Sequence, residues 1–560
     1  MIYNSRLFTG ALAFRRLRLD EVTGMAPKFI KCHYTQVFTR GWPFMLHTLR
    51  SGARVARGAT YLFIQGIISA VISLAYFAIL ARFFPPPRPE MGVYAVLTFI
   101  ITLVQVFGTF ALELTSTKYI AQYAAEGTLK KAKSVVARIL QISLIASAIL
   151  SIIFFASAEW LSTLLLGTSK WASLFRILAF ASFFKILFTQ TLGFLQGLQR
   201  IREMAVINLA YTLLEKVLAI YLLYAGWELF GVVYSWLTGL ILCSIIGLIL
   251  TARFLGILEK PHPAKALINF SYPLYVSGIL AFAVNWIDQL FILPYMGVVY
   301  LGMYHIATKA ALVPSLISSS IFIALFPKLS ELYTRGGADS LKEAFHVTTR
   351  YVVMAGFPLI VGLAVLAHPA MVLFAGVEYA EAALPLTVLC LAQLPVTLGV
   401  AISPTLMTLE RTKTRLLLNV AYILFETFMS YIALAHLNLG MPGAGWARAF
   451  TGLIGFGLAV YALRRTLNVT LDKEALWKTS VASIIMAAAI ALLETPIFQL
   501  YMLPLYLILP LLMIIGSVTY FFSLVALRAI KKRDVELIHD YLPKGLKHIA
   551  FWLGRLAFVE

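Results

Sequence analysis

Apolar residues follow one another along the chain in runs of about 20, separated by short polar connections. A helix rises 1.5 Å per residue, so a run of about 20 residues crosses the hydrocarbon core of a bilayer. The pattern therefore predicts an all-α polytopic membrane protein with about fourteen transmembrane helices. We place them near 60–81, 92–113, 135–156, 171–192, 204–225, 230–252, 271–293, 301–325, 351–374, 384–407, 416–436, 445–463, 479–496 and 501–527.

A short sequence recurs inside two of the predicted helices. Residues 208–215 read NLAYTLLE and residues 419–426 read NVAYILFE, 211 positions further on. At nearly the same offset, Gly92-Val93-Tyr94 recurs as Gly302-Met303-Tyr304. Lipid solvation requires neither an Asn nor a Glu, so chance apolar similarity explains the match poorly. One long period indicates two fused copies of a six-helix bundle, each in the same orientation, followed by two appended helices.

This duplication divides the chain into segments. After a basic extension come an N-lobe of helices 1–6, an inter-lobe linker, a C-lobe of helices 7–12, helices 13–14 and a basic amphipathic tail. Their predicted ranges are 1–58, 59–252, 253–270, 271–465, 466–530 and 531–560. The tail has the composition of an interfacial helix on anionic lipid, and an ordinary basic stop-transfer tail explains it equally well.

Composition and charge place the chain in a membrane. Hydrophobic residues make up 61% of it and charged residues 13%, whereas soluble proteins carry about 25% charged residues. The net charge of +21 would suggest nucleic acid in a soluble protein, but here the basic residues lie between apolar runs. Within the connections between predicted helices, nearly all basic residues lie in the even-to-odd ones, and the opposite side has only Arg82, Arg88 and Lys170. The positive-inside rule predicts the cytoplasmic membrane, with both termini cytoplasmic and no nucleic-acid partner.

Seven charged residues fall inside predicted helices, where each costs about 2.5 to 3.5 kcal/mol on insertion scales and requires a partner, a cavity or a function. They are Lys185, Glu215, Lys216, Asp288, Lys309, Glu426 and Arg448. Counting residues from the connecting loops places Lys185 level with Glu215, and Asp288 level with Lys309. We expect these to be pairs, with a purely structural role about as probable as a functional one.

Glu426 breaks the symmetry of the duplication. The position that matches Lys185 in the second copy is Val396, so Glu426 lacks the partner that Glu215 is expected to have. A carboxyl group buried without a cation has a raised affinity for protons, which suits ion coupling or gating. Alternatively, Glu426 meets Lys216 or Arg448 across the bundle, or stays protonated.

The remaining polar residues give little support to other chemistry. Cys32, Cys243 and Cys390 show neither metal-ligand nor disulfide spacing, so no metal, cofactor or disulfide is expected. The sequence contains no Gly-rich phosphate loop, nucleophile elbow, HExxH or CxxC, so enzyme activity has no sequence support. His305 and His436 lie near predicted helix ends, and we expect both at the membrane interface.

Two parallel six-helix lobes around buried charges favour transport by alternating access. A polar cargo needs such a route, because each hydroxyl stranded in lipid costs several kcal/mol. We therefore assign Lys185, Lys216, Lys309 and Arg448 to an anionic head group such as a diphosphate. Glu215, Asp288 and Glu426 are assigned to ion coupling or gating.

Several motifs support a family resemblance over about residues 55–530. They are the Gly-x-Tyr before helices 2 and 8, the Tyr-x-x-x-Gly after each, VNWIDQLFI around Asp288, and FAGVEYAEAALPL after helix 9. Together with the six-plus-six-plus-two organisation they resemble the polysaccharide-transporter, or Wzx-type flippase, branch of the multidrug/oligosaccharidyl-lipid/polysaccharide superfamily. The resemblance implies flipping or export of polyprenyl-linked oligosaccharides, driven by a coupling ion (H⁺ or Na⁺) or by membrane potential.

Alternatives within and outside this superfamily remain open. The first helix has no acidic residue, unlike proton-coupled multidrug exporters, and the first two helices lack the buried arginines typical of MurJ-like lipid II flippases. Only Lys309, in helix 8, resembles that arginine pattern. Drug or cation efflux, lipid II-type flipping and a non-transporting scaffold for glycosyltransferases are the alternatives. We expect a monomer that contacts membrane lipids and a lipid-linked oligosaccharide.

Overall fold

The computed structural model describes residues 58, 60–255, 260–402, 405–406, 409, 411–468, 471–500 and 505–531, without the side chains of 315–336 and 495–500. Residues Met1–Thr60 and Tyr61–Glu560 are two separate units, and only the second is described at length below. The predicted extension 1–58, apart from residue 58, and the predicted tail 531–560, apart from residue 531, lie outside the described residues.

The described chain is helical and contains no strand. Thirteen of its helices are long and apolar enough to cross a bilayer, which confirms the predicted fold class. In chain order the α-helices are α1 Thr60–Phe83, α2 Glu90–Thr109, α3 Leu112–Ala125, α4 Leu129–Ala156, α5 Ala158–Leu166, α6 Ala172–Gly197, α7 Ile201–Tyr224, α8 Glu228–Leu255, α9 Ala264–Met296, α10 Val298–Ala311, α11 Val313–Val365, α12 Ala367–Ala375, α13 Ala383–Gly399, α14 Thr412–Tyr431, α15 Gly440–Leu467, α16 Lys473–Leu500 and α17 Leu505–Ala526.

The predicted helix 301–325 is divided in the structure. Helix α10 ends at Ala311, and α11 begins with Val313 and Pro314. Proline has no N–H to continue the preceding helix but fits the first turn of a new one. Helix α11 then continues to Val365 with a kink at Gly337, whose φ of 65° and ψ of −149° are not helical. The expected boundary between helices 8 and 9 is thus a kink.

The predicted helix 92–113 is also broken, although its sequence has no proline at the break. Phe110 and Ala111 adopt left-handed φ angles of 48° and 52°, and α3 starts immediately after them. The carbonyl oxygen of Thr109, at the end of α2, accepts a hydrogen bond of 3.3 Å from Nε2 of Gln190 in α6. Tertiary contacts, rather than local propensity, accompany this break.

The two copies found in the sequence pack in the same way. In the first, α4 contacts α6, α6 contacts α8 and α7 contacts α8; in the second, the equivalent pairs are α11 with α13, α13 with α15 and α14 with α15. Even the short helices α5 and α12 correspond, and each is followed by a glycine with positive φ, Gly167 at 69° and Gly376 at 112°. We call α1–α8 the first half and α9–α15 the second half.

The halves meet along α2 and α10. Gly92 and Gly302 allow the two backbones to touch, since a Cβ on Gly92 would lie 1.8 Å from the carbonyl oxygen of Val298. Near the same end, Nη2 of Arg82 donates to the carbonyl oxygen of Leu373 at 2.6 Å. We call this the non-basic end, defined by the connections 84–89, 297 and 376–382, and the opposite one the basic end.

The linker is shorter than expected. Helix α8 continues to Leu255 and α9 begins at Ala264, because helices extend beyond the apolar stretch that sequence reasoning detects. The linker packs on the first half: the His262 N–H donates to the carbonyl oxygen of Ser134 at 2.9 Å, and Nε of Arg138 donates to that of His262 at 2.6 Å.

The appended helices α16 and α17 contact each other and pack on α11. At the basic end, Nη1 of Arg350 in α11 donates to Oδ2 of Asp472 at 3.2 Å, and its Nη2 donates to the carbonyl oxygen of Ala529 at 2.6 Å. One buried guanidinium therefore ties both ends of the appended pair to the second half.

Candidate functional site

A buried ion pair lies at the centre of the second half. Asp288 of α9 is fully buried, and its Oδ2 accepts hydrogen bonds from Nη1 of Arg448 in α15 at 2.6 Å and from the Tyr304 hydroxyl of α10 at 2.9 Å. Its Oδ1 accepts the Gln289 N–H at 2.9 Å. These donors satisfy both oxygens of an ionised carboxylate, so Asp288 and Arg448 are mutually neutralised.

Glu426 of α14 lies beside this pair without joining it. The side chain is fully buried, and neither carboxyl oxygen receives a hydrogen bond within the described part of the chain. Its electrostatic neighbours are Asp288, Arg448 and Tyr422. Glu426 thus has no bonded cation in the described part of the chain, whereas Glu215 has one, although that cation is Lys216 and not the expected Lys185.

The first half carries a second ion pair, between consecutive residues of α7. Nζ of Lys216 lies 2.6 Å from Oε1 of Glu215, and both residues are 8% exposed. The ammonium group also lies 4.4 Å from the centre of the Tyr76 ring in α1. A cation over an aromatic face gains electrostatic stabilisation, which compensates part of its lost hydration.

The structure corrects both predicted pairs. Glu215 bonds to Lys216 instead of Lys185, whose Nζ lies 5.3 Å from the centre of the Tyr211 ring. Similarly, Asp288 bonds to Arg448, while Nζ of Lys309 lies 5.7 Å from the centre of the Phe77 ring. Matching depth in the membrane was not sufficient to predict the ion-pair partners, because two partners must also lie on helix surfaces that face each other.

Two cations from different halves approach the same ring. Nζ of Lys216 lies 5.9 Å, and Nζ of Lys309 5.7 Å, from the centre of Phe77 in α1. Neither Lys185 nor Lys309 forms an ion pair with any of the residues that the structure describes. The centre thus combines four cations with three carboxyl groups, two of which are already paired.

His305 is the residue that sequence reasoning placed wrongly. It is fully buried rather than interfacial, and its Nδ1 lies 2.7 Å from Oε1 of Gln289. Its ring stacks on Trp286 at 5.9 Å and lies 6.0 Å from Tyr94 and 6.3 Å from Phe77. Its position directly after Gly302-x-Tyr304 was the only sequence signal, since that motif marks where the halves meet. His436, by contrast, is exposed.

The described residues include no cluster of side chains arranged for metal binding or for a disulfide. No group of three or more His, Cys, Asp and Glu side chains there is arranged to hold a metal ion. Cys243 and Cys390 are buried and free. Cys32 lies outside the described residues.

The chain belongs to the family described as "Polysaccharide biosynthesis protein", which matches residues 79–384. That match covers more than half of the chain, including α2–α12 and five of the seven charged residues inside the predicted helices. No curated protein matches the sequence.

Solved structures share the fold at low sequence identity. The lipid II flippase MurJ in an inward closed conformation aligns with a TM-score of 0.67 and 18% identity, covering 82% of this chain and 97% of that one. An inward-facing MATE family multidrug transporter of the MOP superfamily gives 0.60 and 16%, with 73% and 99% coverage. A MOP superfamily transporter from Pyrococcus furiosus gives 0.54 and 15%, with 74% and 96%. These likenesses show that the chain shares its fold with these membrane transporters.

Proposed function

We propose that this protein flips or exports a polyprenyl-linked oligosaccharide or polysaccharide precursor across the cytoplasmic membrane by alternating access. Membership of the polysaccharide biosynthesis family supports the carbohydrate cargo. Two equivalent halves that touch along α2 and α10 support a rocking motion of one half against the other. The proposed driving force is an ion gradient or the membrane potential.

The observation that carries the proposal is the convergence of Lys216 and Lys309 on Phe77. Because the two lysines belong to different halves, an anionic group between them would hold the halves together. Phosphate oxygens accept several charge-assisted hydrogen bonds, and lysine is a point charge suited to them. Lys185 and Arg448 extend the positive region, although the bond to Asp288 makes Arg448 the least available of the four.

Ion coupling is assigned to the carboxyl groups. Glu426 has no donor in the described chain and lies beside the paired Asp288. A carboxyl group in such surroundings exchanges protons more readily than one held by a guanidinium. We assign the coupling proton to Glu426, and gating to the Asp288–Arg448 and Glu215–Lys216 pairs, which must separate or rearrange when the cavity hydrates.

The orientation follows from the charge of the connections. With the basic end in the cytoplasm, the contact between Gly92 and Gly302 lies on the outer side of the membrane. Both termini are then cytoplasmic, and the anionic head group enters from the basic end. The basic connections attract it, since anions concentrate near positive surfaces within a Debye length.

The test is mass spectrometry of polyprenyl-linked glycans in cells depleted of this protein, with a membrane-impermeant sugar reagent that reports the leaflet. Accumulation of one glycolipid on the cytoplasmic face is expected, and it identifies the cargo. Complementation with Lys216→Ala/Lys309→Ala should fail, whereas the matched surface variant Lys130→Ala/Lys170→Ala should restore the normal distribution.

An unchanged pool and leaflet distribution would overturn the proposal. The buried carboxyl groups Asp288 and Glu426 would then favour a cationic cargo, as in drug efflux. In that case the depleted strain should become sensitive to cationic drugs, and the lysine substitutions should leave resistance unchanged.

A further inference from the structure

His305 occupies the contact between the two halves. Rings from both halves surround it, Phe77 and Tyr94 from the first and Trp286 from the second. It lies seven residues after the start of α10, about 10 Å from the non-basic end. Proton access from that side would have to pass the Gly92–Gly302 crossing, which begins three residues earlier in α10.

The hydrogen bond to Gln289 fixes the state of the imidazole. In this orientation of the Gln289 amide its Oε1 accepts, so Nδ1 carries the proton and Nε2 presents a lone pair. No group in the described residues donates to Nε2, which is completely buried. The closed contact between the halves therefore contains a neutral imidazole whose basic nitrogen, Nε2, accepts no hydrogen bond from the described residues.

The charged groups around His305 disfavour a second proton in this closed arrangement. Lys309 lies one turn further along α10 and acts directly on the imidazole, and Lys216 of α7 lies across Phe77. On α9, Asp288 is neutralised by Arg448 of α15, and Glu215 is bonded to Lys216. The rings facing it from α1 and α2 are those of Phe77 and Tyr94, which carry no charge at neutral pH.

Protonation of Nε2 would thus bury an imidazolium near the Lys309 ammonium, with no acceptor for its new N–H among the described residues. Burying an uncompensated ion costs several kcal/mol, and separation of Phe77 and Tyr94 from Trp286 would admit water to solvate it. A ligand shifts an equilibrium toward the state that binds it more tightly. Here the ligand is the proton, and the state that binds it more tightly is the one in which the two halves are separated.

We propose that His305 is a proton-binding site whose occupation opens the contact between the two halves at the non-basic end. This inference rests on the proposed function for the alternating motion and for the sidedness. With the non-basic end outside, an acidic exterior opens the outer side and a neutral one closes it. His305 would control the opening of the cavity at the non-basic end, whereas Glu426 lies deeper in the second half, beside Asp288.

The experiment measures this opening without any cargo. Val298→Cys places a thiol at the crossing with Gly92, and Cys32→Ser removes the one native cysteine outside the described residues. The purified full-length protein in nanodiscs reacts with a membrane-impermeant maleimide between pH 5.5 and 8. The exposed Arg88→Cys at the same end corrects for the pH dependence of thiol reactivity, and the parent without Val298→Cys gives the background.

The corrected labelling rate should rise by roughly 5-fold or more as the pH falls. His305→Gln should abolish this rise, while the matched control His436→Gln, at the same end but exposed, should retain it. Gln289→Glu supplies a carboxylate partner for the imidazolium inside the closed contact, so the closed state can bind the proton and the rise should be strongly reduced or abolished. Each variant's thermal midpoint verifies that it is folded.

Equal pH responses in the wild type, His305→Gln and Gln289→Glu would overturn the proposal, as would no response in the wild type. If His305→Gln fails to fold, the size of the pH response in Gln289→Glu decides alone. A normal pH response combined with an unchanged glycolipid distribution in depleted cells would remove the proposed cargo but leave the proton site in place.

Discussion

Gly92 and Gly302, which begin the two copies of the Gly-x-Tyr sequence, lie against each other where α2 crosses α10. A Cβ on Gly302 would come within 2.6 Å of the Gly92 nitrogen and 2.9 Å of the Met91 carbonyl carbon. Real Cβ atoms do not approach backbone so closely, so only glycine permits this crossing. The duplicated motif is thus the point at which the two halves of the bundle touch.

Gly302→Ala is therefore expected to force α2 and α10 apart. The steric conflict should destabilise the contact by about 1 to 3 kcal/mol. The labelling rate of Val298→Cys at pH 8 should rise, and the thermal midpoint should fall. Gly278→Ala is the matched control, because nothing lies within 4 Å of its added Cβ and alanine stabilises a helix by up to about 1 kcal/mol. Identical behaviour of the two variants would show that the crossing tolerates separation.

Arg448→Leu is expected to destabilise the second half strongly. Asp288 would keep only the Tyr304 hydroxyl and the Gln289 N–H, so a buried carboxylate would lose its cation at a cost of about 3 to 5 kcal/mol. The double variant Asp288→Asn/Arg448→Leu should recover much of that loss, because no charge is left unpaired. Thermal unfolding in detergent measures both. A double variant as unstable as the single one would contradict the pairing.

Glu426→Gln and Glu215→Gln are expected to differ although the two residues are equivalent in the duplication. Glu426 has no bonded cation in the described chain, and a glutamine can keep its contacts with the Tyr422 and Thr451 hydroxyls, so Glu426→Gln should fold normally while translocation loses its dependence on the proton gradient. Glu215→Gln leaves the Lys216 ammonium without a counter-ion and should lower the thermal midpoint. Flipping assays with and without an uncoupler separate the two effects. Unaltered coupling in Glu426→Gln would assign the ion elsewhere.

The pair of Asp472 and Arg350 is expected to make the attachment of α16 sensitive to acid. Burial alone would raise the pKa of the Asp472 carboxyl, but hydrogen bonds from the Ala475 N–H and the Arg350 guanidinium outweigh it and hold the pKa below its usual 3.8. A carboxyl group with a lowered folded-state pKa stabilises the protein above its unfolded value, and that stabilisation disappears as the pH falls through the folded value.

Unfolding at pH 7 and near pH 3 measures this contribution. Asp472→Ala should lower the thermal midpoint at pH 7 and change it less near pH 3, where the wild type has begun to lose the same contribution. Asp339→Ala is the control, since that carboxylate is exposed and, among the described residues, pairs with Lys342 three residues away. An equal effect of Asp472→Ala at both pH values would refute the linkage.

Apolar run lengths and the repeated motif were sufficient to predict the fold class, the duplication and thirteen of the fourteen spans, because both are local properties of the chain. The seven charged residues inside the predicted helices were also identified this way, because a charge within an apolar run is costly in lipid. The tertiary structure alone decided their partners. Arg448 meets Asp288 across 160 positions, and Lys216 bonds to its neighbour Glu215.

The break at Phe110 and the burial of His305 were likewise decided by packing. At the break, Nε2 of Gln190 in α6 donates a hydrogen bond to the carbonyl oxygen of Thr109, and the local sequence does not indicate this contact. His305 is buried because the crossing of Gly92 and Gly302 brings Phe77 and Tyr94 against it. Hydrophobicity places a residue at a depth in the membrane, but which side chains face each other depends on how the helices rotate and cross.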